Sequence, residues 1–223
     1  MNSFKSGKSY QHKIYLKLNY LFGNVDECLV EEVKGAMAGS DVCLRYEGST
    51  IGFECKNKGA FEGGSKKMYF DNNRLKFPTN TIHQMIVGDT LVYDGLNLPW
   101  YDNKRSLTDY EKVRSIFDKD IYIAAHDSSI SNYYKVIGTH YIQIEGLGLY
   151  HTGDDILDTG ADLFSCEVML RIRSSKHKRN GIPTDVTGAL QYNRLSIKKS
   201  KIDLDCKLPK YLKLKNHIVL LNT

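Results

Sequence analysis

Apolar and polar residues alternate most regularly across residues 41–56, DVCLRYEGSTIGFECK, and a period of two predicts a β-hairpin turning at Glu47-Gly48. A two-residue turn there sets Tyr46 against Ser49, Leu44 against Ile51 and Val42 against Phe53. These pairs, extended by Cys55, make one apolar face. The other face carries Asp41 opposite Glu54, with Lys56 two residues further along the same strand. Slipping by one residue would bury the charges, so the register is well specified. Before the hairpin, VDECLVEEVKGAM (25–37) has Val25, Leu29, Val33 and Ala36 at helical spacing, with Met37 at the edge of that face. Asn24 serves as N-cap, Asp26 sits in the first turn and Gly39 ends the helix. A second helix is expected over 106–117, SLTDYEKVRSIF, capped by Ser106. Strands are expected at 121–125 (IYIAA), 141–144 (YIQI), 164–173 and 217–221 (HIVLL). The expectation is an α/β (α+β) fold, a mixed central sheet flanked by helices.

Composition narrows this picture without redirecting it. A chain of 223 residues, 41% hydrophobic and 26% charged, fits a single domain spanning 1–223 with a real core. No internal repeat or low-complexity tract occurs, and none of the four prolines marks a linker. No apolar run approaches a membrane span, and polar residues break up the basic start MNSFKSGKSYQHKIYLKLNY before a leader core forms. The five cysteines are odd in number and scattered, with no CxxC pair, which argues against a disulfide framework or a structural zinc site. A soluble cytoplasmic protein in a reducing compartment is expected. The net charge of +5 is a mild pointer to a polyanionic partner. Its distribution says more, because RIRSSKHKR (171–179) and RLSIKKSK (194–201) concentrate positive charge in the C-terminal third.

Opposed carboxylates repel across a ladder. A divalent cation between Asp41 and Glu54 would remove that repulsion, and magnesium suits two carboxylates completed by water and phosphate oxygens. Such an ion polarises a phosphoryl oxygen and acidifies a bound water, and Lys56 would stabilise charge on the phosphate or position the water. These are the parts for phosphodiester hydrolysis. The competing reading makes Glu54 and Lys56 ordinary solvent-facing strand residues, since E-x-K alone is a common tripeptide.

A helix, then Ser40-Asp41, then Glu54-Cys55-Lys56 resembles the PD-(D/E)XK nuclease superfamily, which includes many type II restriction endonucleases. The resemblance covers about residues 25–67. It implies a restriction-endonuclease-like core, with Asp41 and Glu54 as metal ligands, the backbone carbonyl of Cys55 as a third, and Lys56 as the catalytic lysine. Ser40 replaces the motif's proline, which removes no ligand. Many members add an acid from the preceding helix. Glu27, Glu31 and Glu32 compete for that role; Glu32 is chosen because it lies at the flank of the apolar face, with a plain surface glutamate as the alternative. The implied activity is Mg2+-dependent cleavage of double-stranded DNA, with Mn2+ able to substitute, by a sequence-specific restriction endonuclease. One catalytic motif per chain cuts one strand, so a homodimer is expected. A repair, recombination or phage nuclease acting on DNA structures or ends is the first alternative. A non-catalytic DNA-binding protein is the second.

Substrate contacts are expected in two places. After Lys56 comes NKGAFEGGSKKMYFDN (57–72), read as a loop whose Gly59, Gly63 and Gly64 permit close backbone approach. There Lys58, Ser65, Lys66 and Lys67 offer phosphate contacts, or form a solvated surface turn. In the C-terminal block, Arg171, Arg173, Lys176, Lys178 and Arg179 suit phosphates or guanine edges, or form a solvated face. His83 and His126 lie in no catalytic spacing and are read as structural.

Overall fold

The computed structural model describes residues 3–33, 40–58, 62–71, 74–78, 121–125, 129–174, 178–179, 182–183, 186–215 and 217–220. In chain order these form α1 (Ser3–Phe22), β1 (Cys28–Glu32), β2 (Val42–Tyr46), β3 (Ser49–Lys56), β4 (Glu62–Asp71), β5 (Arg74–Lys76) and β6 (Ile121–Ala125). Then follow α2 (Ser129–Val136), β7 (Thr139–Ile144), β8 (Gly148–His151), β9 (Asp162–Leu163), β10 (Val168–Ser174), β11 (Lys178–Arg179) and β12 (Ile182–Pro183). Last come β13 (Val186–Tyr192), β14 (Tyr211–Leu214) and β15 (His217–Leu220). The chain divides into two compact units. One comprises Met1–Phe61, Tyr134–Cys166 and Arg194–Thr223; the other comprises Glu62–Tyr133 and Glu167–Asn193.

The first unit is built on a six-stranded mixed sheet in the order β1-β2-β3-β7-β8-β9. The hairpin has the expected register, with Val42↔Phe53, Leu44↔Ile51 and Tyr46↔Ser49. Glu47 and Gly48 both take positive φ, 44° and 74°, the conformation of a type I′ turn that matches strand twist. β7 runs parallel to β3, whereas β8 runs antiparallel to β7. The mixed α/β class is therefore as expected.

The helix expected over 25–37 is corrected in its described part, 25–33; residues 34–37 lie outside the described residues. Cys28–Glu32 is strand β1, paired antiparallel with β2 from Cys28↔Tyr46 to Glu32↔Val42. Asn24 caps no helix, and Gly39 lies outside the described residues. The supposed apolar stripe is not used: Val30, off the stripe, is buried, while Leu29, on it, is 52% exposed. Helical spacing over three turns is a weak prior, and here ladder hydrogen bonds with β2 override it. The helix that packs on this sheet is α1. Its Tyr10, Ile14, Leu18, Leu21 and Phe22 recur at helical spacing, all buried, in one core with Val42, Leu44, Phe53 and Tyr141. The rings of Phe53 and Tyr141 stack at 5.2 Å.

The second unit holds an antiparallel five-stranded sheet in the order β5-β4-β13-β10-β6. The loop read over 57–72 is corrected for 62–71; residues 59–61 and 72 lie outside the described residues. Glu62–Asp71 is a ten-residue strand, and pairing with β13 takes up backbone groups that a loop would leave to water. The strands expected at 121–125 and 141–144 are present. The one expected at 164–173 starts later, at Val168, and that at 217–221 is β15, with residue 221 outside the described residues. The expected helix over 106–117 also lies outside them. Among the described residues no helix is long and apolar enough to cross a membrane.

Gly52 is a glycine of close approach. A Cβ there would collide with Ser40 Oγ and come within 2.7 Å of the Gly138 carbonyl. Gly52→Ala is expected to destabilise the fold by about 1–3 kcal/mol in urea unfolding. A change within a few tenths would contradict this packing.

Candidate active site

Asp41 is the residue just before β2, beyond the last ladder pair Val42↔Phe53. Its N–H donates to the Phe53 carbonyl at 2.9 Å, and its own carbonyl accepts from the Val33 N–H at 2.9 Å. Gln11 of α1 adds a third tether, its Nε2 donating to the Asp41 carbonyl at 2.9 Å and to the Val33 carbonyl at 3.3 Å. The backbone of Asp41 is thus tied to β3, to the end of β1 and to the helix. Its carboxylate Oδ2 accepts the Cys55 N–H at 2.9 Å, which lays the side chain along β3 between Glu54 and Lys56.

Glu54 and Lys56 form an ion pair through Glu54 Oε1 and Lys56 Nζ, and their side chains are only 15% and 14% exposed. They are therefore not a solvated strand face. Lys56 Nζ also lies 5.8 Å from the ring centre of buried Tyr134, a cation–π arrangement. Their strand partners on β7, Ile142 and Ile144, are fully buried. Keeping charges at such low exposure costs free energy unless they serve one another or a ligand.

The electrostatics of Asp41 report this crowding. Burial, then the neighbouring Glu54 carboxylate and more weakly Glu32, push its pKa up to about 6, against the opposing pull of the Cys55 N–H and Lys56. Burial, then the Asp41 and Glu54 carboxylates, likewise raise the Cys55 thiol well above its ordinary value. Glu32, chosen as a helix residue, stands instead at the end of β1, where its Oε2 meets His12 Nδ1 at 3.2 Å. The physical reason for this correction is that of β1 itself. Strand placement nonetheless leaves Glu32 close enough to act on Asp41.

Whether these groups suit a divalent cation turns on donor chemistry. Two crowded carboxylates and a backbone carbonyl are hard oxygen donors, which fit magnesium completed by water. Among the described residues no group of three or more His, Cys, Asp or Glu side chains is placed to hold a metal ion. A closed zinc-type shell is thus not formed by those residues.

Around the site, three residues overlooked in the sequence hold the framework. Arg194 donates through its two terminal nitrogens to the carbonyls of Lys58 and Glu145, each at 2.8 Å. It bridges the exits of β3 and β7, although in sequence it was merely part of a basic block. Gln143, paired with Cys55, donates to the Tyr10 hydroxyl at 3.0 Å and to Asp203 Oδ1 at 2.9 Å. Burial lowers the pKa of His140, and its Nδ1 accepts the Gly52 N–H at 3.1 Å, so the neutral ring carries its proton on Nε2. Polar residues in apolar strands are the signal that Gln143 offered.

The expected DNA-contacting residues are distributed over both units. Lys58 is exposed at the end of β3 in the first unit. Lys66 and Lys67 are exposed on β4 in the second, with Ser65 on the same strand. Arg171, half-buried, and Arg173 lie on β10, and Lys178 and Arg179 form β11. Lys176, His83 and His126 lie outside the described residues.

An Asp41 carboxyl at about 6, against an unfolded value near 3.9, binds its proton more tightly in the folded state. Its contribution to stability is complete below pH ~4 and is lost as pH rises through ~6, so the ionised form opposes folding at neutral pH. Asp41→Asn is therefore expected to stabilise the metal-free protein by about 1–3 kcal/mol at pH 7.5 and to change nothing at pH ~4. Urea unfolding at the two pH values checks this; an equal effect at both would contradict it.

Compared with protein-family models, with curated proteins and with solved structures, the chain matches none of them.

Proposed function

We propose that this chain is a magnesium-dependent endonuclease that hydrolyses phosphodiester bonds of double-stranded DNA, with a restriction-endonuclease-like core. The observation that carries the reading is the low-exposure trio of Asp41, Glu54 and Lys56 at the open end of the β2–β3 hairpin, held there by the Cys55 N–H and the Glu54–Lys56 ion pair. The sheet supports it too: the Glu-Lys strand β3 is central, flanked by the antiparallel strand that follows Asp41 and by parallel β7.

Asp41, Glu54 and the Cys55 carbonyl would hold the ion. When bound, magnesium supplies Lewis acidity to a phosphoryl oxygen and to water. Asp41 must be ionised to serve, which its pKa near 6 allows at neutral pH. Lys56, poised between Glu54 and the Tyr134 ring, places a positive charge where a scissile phosphate would develop negative charge. Glu32 adds to the negative potential that draws a cation in. One such site cuts one strand, so double-strand cleavage calls for a homodimer, and sequence-specific cutting of the type II restriction kind is the activity this organisation serves. A nuclease acting on DNA structures or ends would use the same trio.

The test is incubation with long unmethylated duplex DNA, in magnesium and in EDTA, beside Glu54→Ala and Lys56→Ala. Discrete bands that need magnesium, with rates at least ~10²-fold lower in both variants, are expected. A magnesium-dependent smear would keep the site and move the role to structures or ends. Cleavage that survives both substitutions would overturn the assignment.

A further inference from the structure

The lysines of α1 are not explained by the trio, and they are distributed unevenly around the helix. The first 22 residues contain Lys5, Lys8, Lys13 and Lys17 and no Asp or Glu. On one flank, Lys13 pairs with Asp205 at 3.1 Å and Lys17 lies over the Tyr20 ring at 5.9 Å. The other flank borders the candidate site along two turns. Gln11 reaches the Asp41 carbonyl and His12 reaches Glu32. A Cβ on Gly7 would stand 3.5 Å from Asn57 Nδ2, one residue beyond Lys56. Lys8, exposed, falls between these contact points, about one turn from both Gln11 and His12.

Lys58 stands at the same end of β3. Its N–H donates to Glu145 Oε2 at 3.0 Å and its carbonyl accepts from Arg194 at 2.8 Å. The backbone is thereby fixed at both peptide groups while the residue itself is exposed. Lys8 thus lies about one helical turn from the residues that touch Asp41 and Glu32, and Lys58 lies two residues beyond Lys56. Two exposed cations therefore sit on the segments that border the three carboxylates Asp41, Glu54 and Glu32. Such a cluster repels phosphate, so a phosphate chain entering it needs cations on neighbouring phosphates.

We infer that the Lys8 flank of α1, together with Lys58, is the seat for the phosphate backbone of duplex DNA on either side of the scissile bond. This rests on the nuclease reading for its ligand class. It adds the N-terminal helix to the contact surface expected from the sequence. These contacts position the duplex and carry no sequence information.

The test is anisotropy of a labelled duplex with the full chain in calcium, across a salt series. It compares wild type with Lys8→Gln/Lys58→Gln and with Lys13→Gln/Lys17→Gln. Losing two phosphate contacts is expected to weaken binding about tenfold or more and to lower the slope of log K against log salt by about two in the first pair only. In cleavage, the first pair should raise KM more than it lowers kcat. No binding of duplex DNA, an unchanged slope in the first pair, or an equal loss in the second would overturn the surface. Glu54→Ala separates the two readings: a wild type that never cuts, yet loses slope only in the Lys8/Lys58 pair, keeps the surface and removes the nuclease. Magnesium-dependent cutting that stops in Glu54→Ala, with an unchanged slope, does the reverse.

Discussion

Two carboxylates and an ammonium group held at low exposure at the open end of one hairpin are the constraint around which the first unit is arranged. Asp41 cannot move away from Glu54. Its N–H is bound to β3, its carbonyl to Val33 and Gln11, and its carboxylate to the Cys55 N–H. Those bonds recover part of what burial of the charges costs, and the remainder appears as the raised Asp41 pKa. The unbalanced negative charge is what, on the proposed reading, a small divalent cation would neutralise.

The rest of the unit fixes the ends of β3 and β7 on which the trio depends. α1 closes the apolar face with Ile14 and Leu18 and delivers Gln11 to Asp41. Gln143 ties β7 to α1 through Tyr10 and to the 203–206 turn through Asp203. Arg194 clamps both strand exits through two carbonyls. A buried polar network of this kind rigidifies when fully satisfied, and it surrounds the residues that most need fixed geometry.

The hairpin was legible because several local signals agreed: alternation, a Glu-Gly turn able to take positive φ, and charges that tolerate only one register. The helix over 25–37 was misread because VDECLVEEV satisfies a helical stripe and a strand equally well over such a short length, and only pairing with β2 decides between them. Glu32 consequently had the right neighbourhood but the wrong element. α1 carries an apolar stripe from Tyr10 to Leu21, diluted in sequence by the lysines and polar residues between its members. Gln11, Arg194 and Gln143 act through backbone carbonyls and buried hydroxyls, partners that no sequence pattern specifies.

The most direct test of the account is calorimetric titration of magnesium, and of manganese in parallel, into the metal-free chain at pH 7.5, beside Asp41→Asn and Glu54→Gln. Binding of the ion by the wild type that is lost in both variants, with each variant still folded, is the result the account requires. Wild-type binding unchanged in the variants, or no binding in any of the three, would contradict the claim that the Asp41–Glu54 pair is held together to receive a cation.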